Sequence, residues 1–215
     1  MRKLASRRWR DKLGLFVAEG EDLVDAARAA GIEPVELLVS GETVEPQLLA
    51  QVSDLVHPPR VIAVFRRADL PPVPRSDTGL ALWHVGDPGN VGTLMRSADA
   101  FGAFLALSEG CADPVGPKAL RASAGAVFRV PMCPFEAAPG RRIALVARSD
   151  RSLTEVELDG PVTFVLGAER EGLPVRVMDS CDELASITTT ASSESLNVAV
   201  AGAIALYECH RRTNR

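Results

Sequence analysis

The sequence has no closely spaced cysteine pair. Its four cysteines, Cys111, Cys133, Cys181 and Cys209, stand far apart, and only three histidines accompany them. A structural zinc site needs ligands paired at short spacings, so no metal is expected. Free thiols in a reducing cytoplasm are expected instead. No apolar run approaches the roughly 20 residues that cross a bilayer, so no membrane partner is expected. The basic N-terminus lacks the apolar stretch that marks a secretory leader. Overall positive charge is missing too. The net charge is −4, so any attraction to phosphate must come from local patches. Internal repeats and low-complexity tracts are also absent.

What is present suits a globular α/β protein. The 215 residues are 47% apolar, enough for a sizeable core in one large or two small domains. Arg2, Lys3, Arg7, Arg8, Arg10 and Lys12 crowd the first twelve residues against one acid, Asp11. They read either as an ordinary solvated segment or as a basic arm that contacts phosphate. The segment Phe16–Gly20 follows, then a helix through Leu23, Val24, Ala26 and Ala27 that ends at Gly31. Val35–Val39 reads as a strand, Pro46–Leu55 as a helix and Val61–Phe65 as a strand, together a small α/β unit. Pro71, Pro72 and Pro74 then break the pattern as a linker. The expected division is 1–70, a linker over 71–78, and 79–215.

The second part opens on an apolar run, Gly79–Val85, short enough for a strand buried on both faces. Phe104–Leu107, Ile143–Ala147 and Val162–Leu166 repeat the signal. Helices are expected between them, for example over Val91–Phe101. A last helix over Leu196–His210 is apolar nearly all round in its first half, which predicts full burial. The whole predicts a mostly parallel sheet covered on both faces. In such sheets ligands bind at the carboxyl ends of strands. Three loops stand there: Gly86–Gly92, Gly167–Leu173 and Ser192–Asn197. Glycine or a small polar residue in each lets a ligand approach the backbone closely. Gly86–Gly92 lacks the glycine spacing of a dinucleotide fingerprint. Gly167–Gly172 lacks the Lys and Ser/Thr of a P-loop, where Leu173 and Pro174 stand. These two nucleotide chemistries are thereby disfavoured.

Asp87-Pro88-Gly89-Asn90-Val91-Gly92 with Arg96-Ser97-Ala98-Asp99-Ala100-Phe101-Gly102, Gly167–Leu173, and Ser195–Ala201 occur in that order. They resemble the three motifs of the SpoU/TrmH branch of the SPOUT RNA methyltransferases, over roughly residues 80 to 210. The first part more weakly resembles the small L30e-like substrate-binding domain of that family. The resemblance implies an α/β trefoil-knot domain, a homodimer with its active site at the subunit interface, S-adenosylmethionine as cofactor, and methylation of a ribose 2′-hydroxyl in RNA. Ribosomal RNA is the first choice of substrate and transfer RNA the alternative, with a non-catalytic RNA-binding relative as the rival. Leu166, Gly167, Ile187 and Leu196 match the cofactor-holding positions. Asn90, Arg96, Glu169, Ser195 and Asn197 match the catalytic region.

Each of those residues also has a plainer reading. Asn90 suits a turn, Arg96 a solvated helix face, Ser195 a helix cap, and Glu169 a first-turn acid facing a helix dipole. Arg96 is the family's proposed base, yet a guanidinium with a pKa above about 12 hardly deprotonates, and a bidentate phosphate anchor is the other role open to it. The family usually has Ile-Pro-Met before its third motif and a glycine two residues later. Here Ile187-Thr188-Thr189-Thr190-Ala191 stands in its place, which bears on the cofactor loop.

Overall fold

The computed structural model describes residues 1–53, 55–71, 76–190 and 195–213. Part of the proline-rich linker and residues 192–194 of the third loop therefore lie outside the described residues. Helix α1 (Arg7–Leu13) leads into β1 (Leu15–Glu19), α2 (Glu21–Ala29), β2 (Glu36–Val39), α3 (Pro46–Val52) and β3 (Val61–Arg66). The strands form an antiparallel sheet in the order β1-β3-β2. Phe16 and Phe65 from this sheet stack at 5.7 Å, and Phe65 meets Phe128 of the second part at 5.0 Å. One apolar core thus runs across the expected division.

The second sheet is six-stranded and wholly parallel. It comprises β4 (Thr78–Leu82), β5 (Phe104–Leu107), β6 (Met132–Pro134), β7 (Arg141–Leu145), β8 (Val162–Leu166) and β9 (Glu183–Ala185), ordered β6-β5-β4-β8-β7-β9. Both faces are covered, as expected of continuous apolar strands. All five residues of β8 are buried, including Thr163, whose hydroxyl donates to the Pro139 carbonyl at 2.5 Å. From β4 the chain winds outward through β5 to β6, then returns on the other side of β4. The β4/β8 boundary is therefore the switch point, where open α/β sheets leave a crevice.

Helix α4 (Pro88–Ala100) begins three residues earlier than expected, because Pro88 takes the first helical turn, where a missing N–H costs nothing. Its buried Val91, Leu94, Met95 and Ala98 recur at helical spacing. Asn90 and Gly92 thus belong to a helix, not to a loop. A Cβ at Gly92 would lie 2.6 Å from that of Ala122 in α5 (Pro117–Ser123), so this glycine serves a helix crossing. Short α6 (Val175–Met178) follows β8.

One expectation needs correction. The final helix, α7 (Val198–Thr213), is not buried all round: Val200, Ile204 and Tyr207 are 47%, 36% and 55% exposed. Among the described residues it packs on α4, β4 and β8, its Arg212 reaches the carbonyls of Leu153, Thr154 and Val156, and Gly202 brings it against Leu94 and Leu166. The basic N-terminal run keeps Arg2, Lys3, Arg7, Arg8 and Lys12 exposed, as a solvated segment would, but not Arg10. It folds into α1 and the turn before it, and Arg10 is 5% exposed. Its guanidinium meets Asp113 at 2.8 Å, and Arg67 donates to the same carboxylate at 2.8 Å.

Candidate functional site

The site lies at the carboxyl ends of β7 and β8. There a cavity of about 400 Å³ is walled by Leu145–Ala147, Leu166–Leu173, Met178, Ile187 and Leu196, with Ala201 of α7 behind. Its size falls within the range of small-molecule pockets, roughly 300–1,000 Å³. Leu166, Gly167, Ile187 and Leu196, the four candidate cofactor residues, all line it, and so do Glu169 and Ser195.

The 167–173 loop is built by its own backbone. The Gly172 N–H donates to the Ala168 carbonyl at 2.9 Å, and Gly172 takes φ of 65°. A Cβ on Gly167 would lie 2.6 Å from the Leu173 nitrogen. The bare Cα at 167 thus lets the loop close on itself, where close approach by a ligand was expected. The loop also puts Glu169 outside any helix, so the helix-dipole reading fails.

At the cavity mouth three side chains from three segments meet. Helix α7 starts with its N–H groups at Ala199 and Val200 donating to the Asn197 side-chain oxygen, at 2.9 and 3.3 Å. Asn197, and not Ser195, is therefore the cap. With that oxygen occupied, the Asn197 amide donates to the Asn90 oxygen at 3.2 Å. The Asn90 amide in turn donates to the Glu169 carboxylate at 2.7 Å. Each amide is oriented by its neighbour, and the relay ends on an exposed acceptor oxygen.

Asn90 is aimed by a pair to which the motifs assign no role. Asp87 caps α4, accepting from the Asn90 N–H at 3.0 Å, and Lys118 of α5 donates to its other oxygen at 3.1 Å. The N–H of Asn90, and then Lys118, hold the Asp87 carboxyl below its ordinary pKa. Asp followed by Pro is a helix-start signal that could have shown this. Arg96 does not join the cluster. Six residues beyond Asn90 it lies on another side of α4, exposed, and makes no hydrogen bond or ion pair among the described residues. Thr188, at the position usually held by proline, is tied by its hydroxyl to Ser152 at 3.0 Å, and Thr189 lines the cavity.

The arrangement offers an apolar slot edged by loop backbone beside a fixed amide–carboxylate relay. Comparisons with known proteins agree. The model of the SpoU rRNA Methylase family matches residues 77–207. An uncharacterised tRNA/rRNA methyltransferase of Synechocystis is 30% identical, over 99% of this chain and 89% of its own. The 23S rRNA (uridine(2479)-2′-O)-methyltransferase of Streptomyces viridochromogenes is 29% identical, over 97% of this chain and 87% of its own. The crystal structure of an AdoMet-bound rRNA methyltransferase from Sinorhizobium meliloti superposes with a TM-score of 0.85 at 28% identity, covering 98% of this chain and 92% of that one.

Proposed function

This chain belongs to the SpoU rRNA methylase family, and from that membership we propose that it methylates a ribose 2′-hydroxyl of RNA, ribosomal RNA first, using S-adenosylmethionine. The observation that carries the reading is the Asn90–Glu169–Asn197 relay at the mouth of a cavity of cofactor size. The cofactor supplies an electrophilic methyl group. Leu166, Ile187 and Leu196 would give its adenine an apolar slot, and the backbone of 167–173 would give donors and acceptors. The relay holds the ribose hydroxyl in line, and positioning supplies much of the rate. Ser195, at the cavity wall, stands beside the same mouth.

The finer reading is a homodimer with a trefoil knot. The stripe Val200, Ile204 and Tyr207, with Phe101 against Tyr207, supports a two-fold contact through α7. With the site at such an interface, the exposed Arg96 would anchor a phosphate of the bound RNA. The knot is supported by the return of residues 195–213 past the loops of β7 and β8 onto α4, β4 and β8. Residues 1–70 act as the L30e-like RNA-binding lobe. Free cysteines suit a cytoplasmic enzyme.

The test is transfer of labelled methyl from S-adenosylmethionine to transcribed ribosomal and transfer RNA, with 2′-O-methyl mapping of the product. Transfer to ribosomal RNA is expected. Cofactor binding with no transfer to either RNA would leave only an RNA-binding relative. Light scattering of Val200→Asp/Ile204→Asp should show a monomer where the parent is a dimer, and a monomeric parent with full activity would sink the dimer.

A further inference from the structure

At the end of β4 the strand's alternation of side chains fails. Trp83 still follows the ladder, its N–H donating to the Leu166 carbonyl at 2.8 Å. His84 then takes φ of 53°, a left-handed conformation that is strained in a residue other than glycine. Consecutive strand side chains normally point to opposite faces. Here the turn lays the imidazole on the indole of Trp83, with ring centroids 4.7 Å apart and planes 8° from parallel. Arg176 of α6 adds a third flat group, its guanidinium carbon 5.2 Å from the Trp83 ring centroid.

The imidazole is fitted into place. A Cβ on Gly110 would lie 2.6 Å from two of its ring atoms, and the His84 N–H donates to the buried Ser108 hydroxyl at 2.9 Å. Yet His84 and Arg176 are both exposed. Strain, a stacked cation and a bare glycine thus hold polar groups towards solvent that the relay does not use. Their place is informative. Gly110 belongs to the loop whose Cys111 carbonyl accepts from Arg7 of the basic α1 at 3.0 Å. Leu166 and Met178, on the other side, wall the cavity. His84 and Trp83 thus join the loop contacted by α1 to the strand end that walls the cavity.

We propose that these three residues form a subsite for an unpaired nucleotide flanking the target ribose. Its base packs on the guanidinium plane, and the imidazole edge offers a hydrogen bond. Unstacked RNA bases are recognised on aromatic and arginine planes in this way. The inference rests on the RNA methyltransferase reading. Its test uses the full chain with His84→Gly, Arg176→Ala and Arg176→Lys. Glycine suits φ of 53°, so His84→Gly should melt no lower than the parent. Binding of a short single-stranded RNA oligonucleotide, read by fluorescence anisotropy, should weaken roughly tenfold or more in Arg176→Ala, as loss of one stacked base does. It should weaken in His84→Gly too. KM for large-subunit ribosomal RNA should rise in parallel while cofactor affinity holds. Arg176→Lys keeps the charge without the plane and should stay weak. Parent-like RNA binding in all three variants overturns the subsite and leaves the methyltransferase reading intact. Parent-like binding in Arg176→Lys alone reduces the contact to charge and overturns stacking. A parent that neither binds nor methylates RNA overturns both.

Discussion

Two polar clusters organise this molecule, and they are built on opposite principles. At the junction of the two sheets Arg10, Arg67 and Asp113 form a charged cluster with a closed centre: the Arg10 and Asp113 side chains are each 6% exposed, while Arg67, 29% exposed, also reaches out to Asp11. At the cavity mouth Asn90, Glu169 and Asn197 form an amide-led cluster open to solvent, with a single charge. At its closed centre the first cluster has Arg10 donating to Asp113 and to the Leu4 and Ala5 carbonyls, so this pair can hold parts together but recognise nothing. The open one leaves acceptor capacity on Glu169 and so can orient a hydroxyl. Burial, not residue type, divides structural from chemical roles here.

The sharpest way to break the comparison is to remove the shared acceptor of the closed cluster. Asp113→Ala leaves the buried Arg10 guanidinium without its carboxylate, while Arg67 keeps Asp11. Deleting one partner of a buried pair typically costs about 3–5 kcal/mol. Urea denaturation should show a loss of that size. A change within the scatter of surface substitutions would mean that water reaches the junction and that the cluster is not closed.

The open cluster should respond in the reverse sense. Asn90→Ala breaks the relay at its centre yet buries no charge, so the fold should persist. Methyl transfer should fall by about a hundredfold or more, the loss typical of a misplaced reacting group. Arg96→Ala should lose as much if a second copy brings that residue to the site. Near-parental turnover in both variants would remove the catalytic assignment.

Much of this is legible in the sequence, and what is not has physical causes. The buried strands β5 and β8 run over the very residues their apolar runs indicate, because strands covered on both faces leave a continuous signal. Gly167 and Leu196, which line the cavity, are legible through their motifs. Short elements such as β6, β9 and α6 carry too few residues for a period to show. Gly92 and Gly167 suggest ligand-facing loops, but composition cannot tell a glycine that admits a ligand from one that admits another piece of the chain. Arg10 is misleading for a related reason. A run of cations shows charge density, while its burial depends on Asp113, a hundred residues away in sequence.

Asp87 sits between the two clusters in kind: charged, half exposed and structural, yet directly under Asn90. Its carboxyl is held below its ordinary pKa, chiefly by the Asn90 N–H and next by Lys118. A depressed folded value means that the ionised form stabilises the fold. That contribution is complete above the unfolded value, about 3.9, and is lost as pH falls through the lower folded one. Asp87→Ala should cost about 1 kcal/mol, as an N-cap does. The cost should be flat from neutral pH down to about pH 5 and vanish in stronger acid. An unchanged cost at every pH would show that the cap works without its charge.

The smallest expected effect concerns the cations that α1 leaves outside the closed cluster. Arg10 is committed to Asp113, and Arg7 reaches the Cys111 carbonyl and Asp11. Arg8 is exposed and makes no hydrogen bond or ion pair among the described residues. It is therefore the cation of α1 best placed to meet phosphate. A protein with net charge −4 gains no long-range attraction on average, so each local phosphate contact should register in the salt dependence of RNA binding. Arg8→Gln should flatten the plot of log affinity against log salt by about 0.7 on single-stranded RNA, the change for one lost contact. Cofactor affinity should not move, because the cavity lies at the far end of the sheet's carboxyl edge. Neutralising Arg10 instead should lower stability and flatten the plot no further than unfolding explains. If Arg8→Gln keeps the parental slope, α1 is only a brace between the sheets. RNA would then have to find its cations elsewhere on the surface, at Arg96, Lys118 and Arg121, all of them exposed.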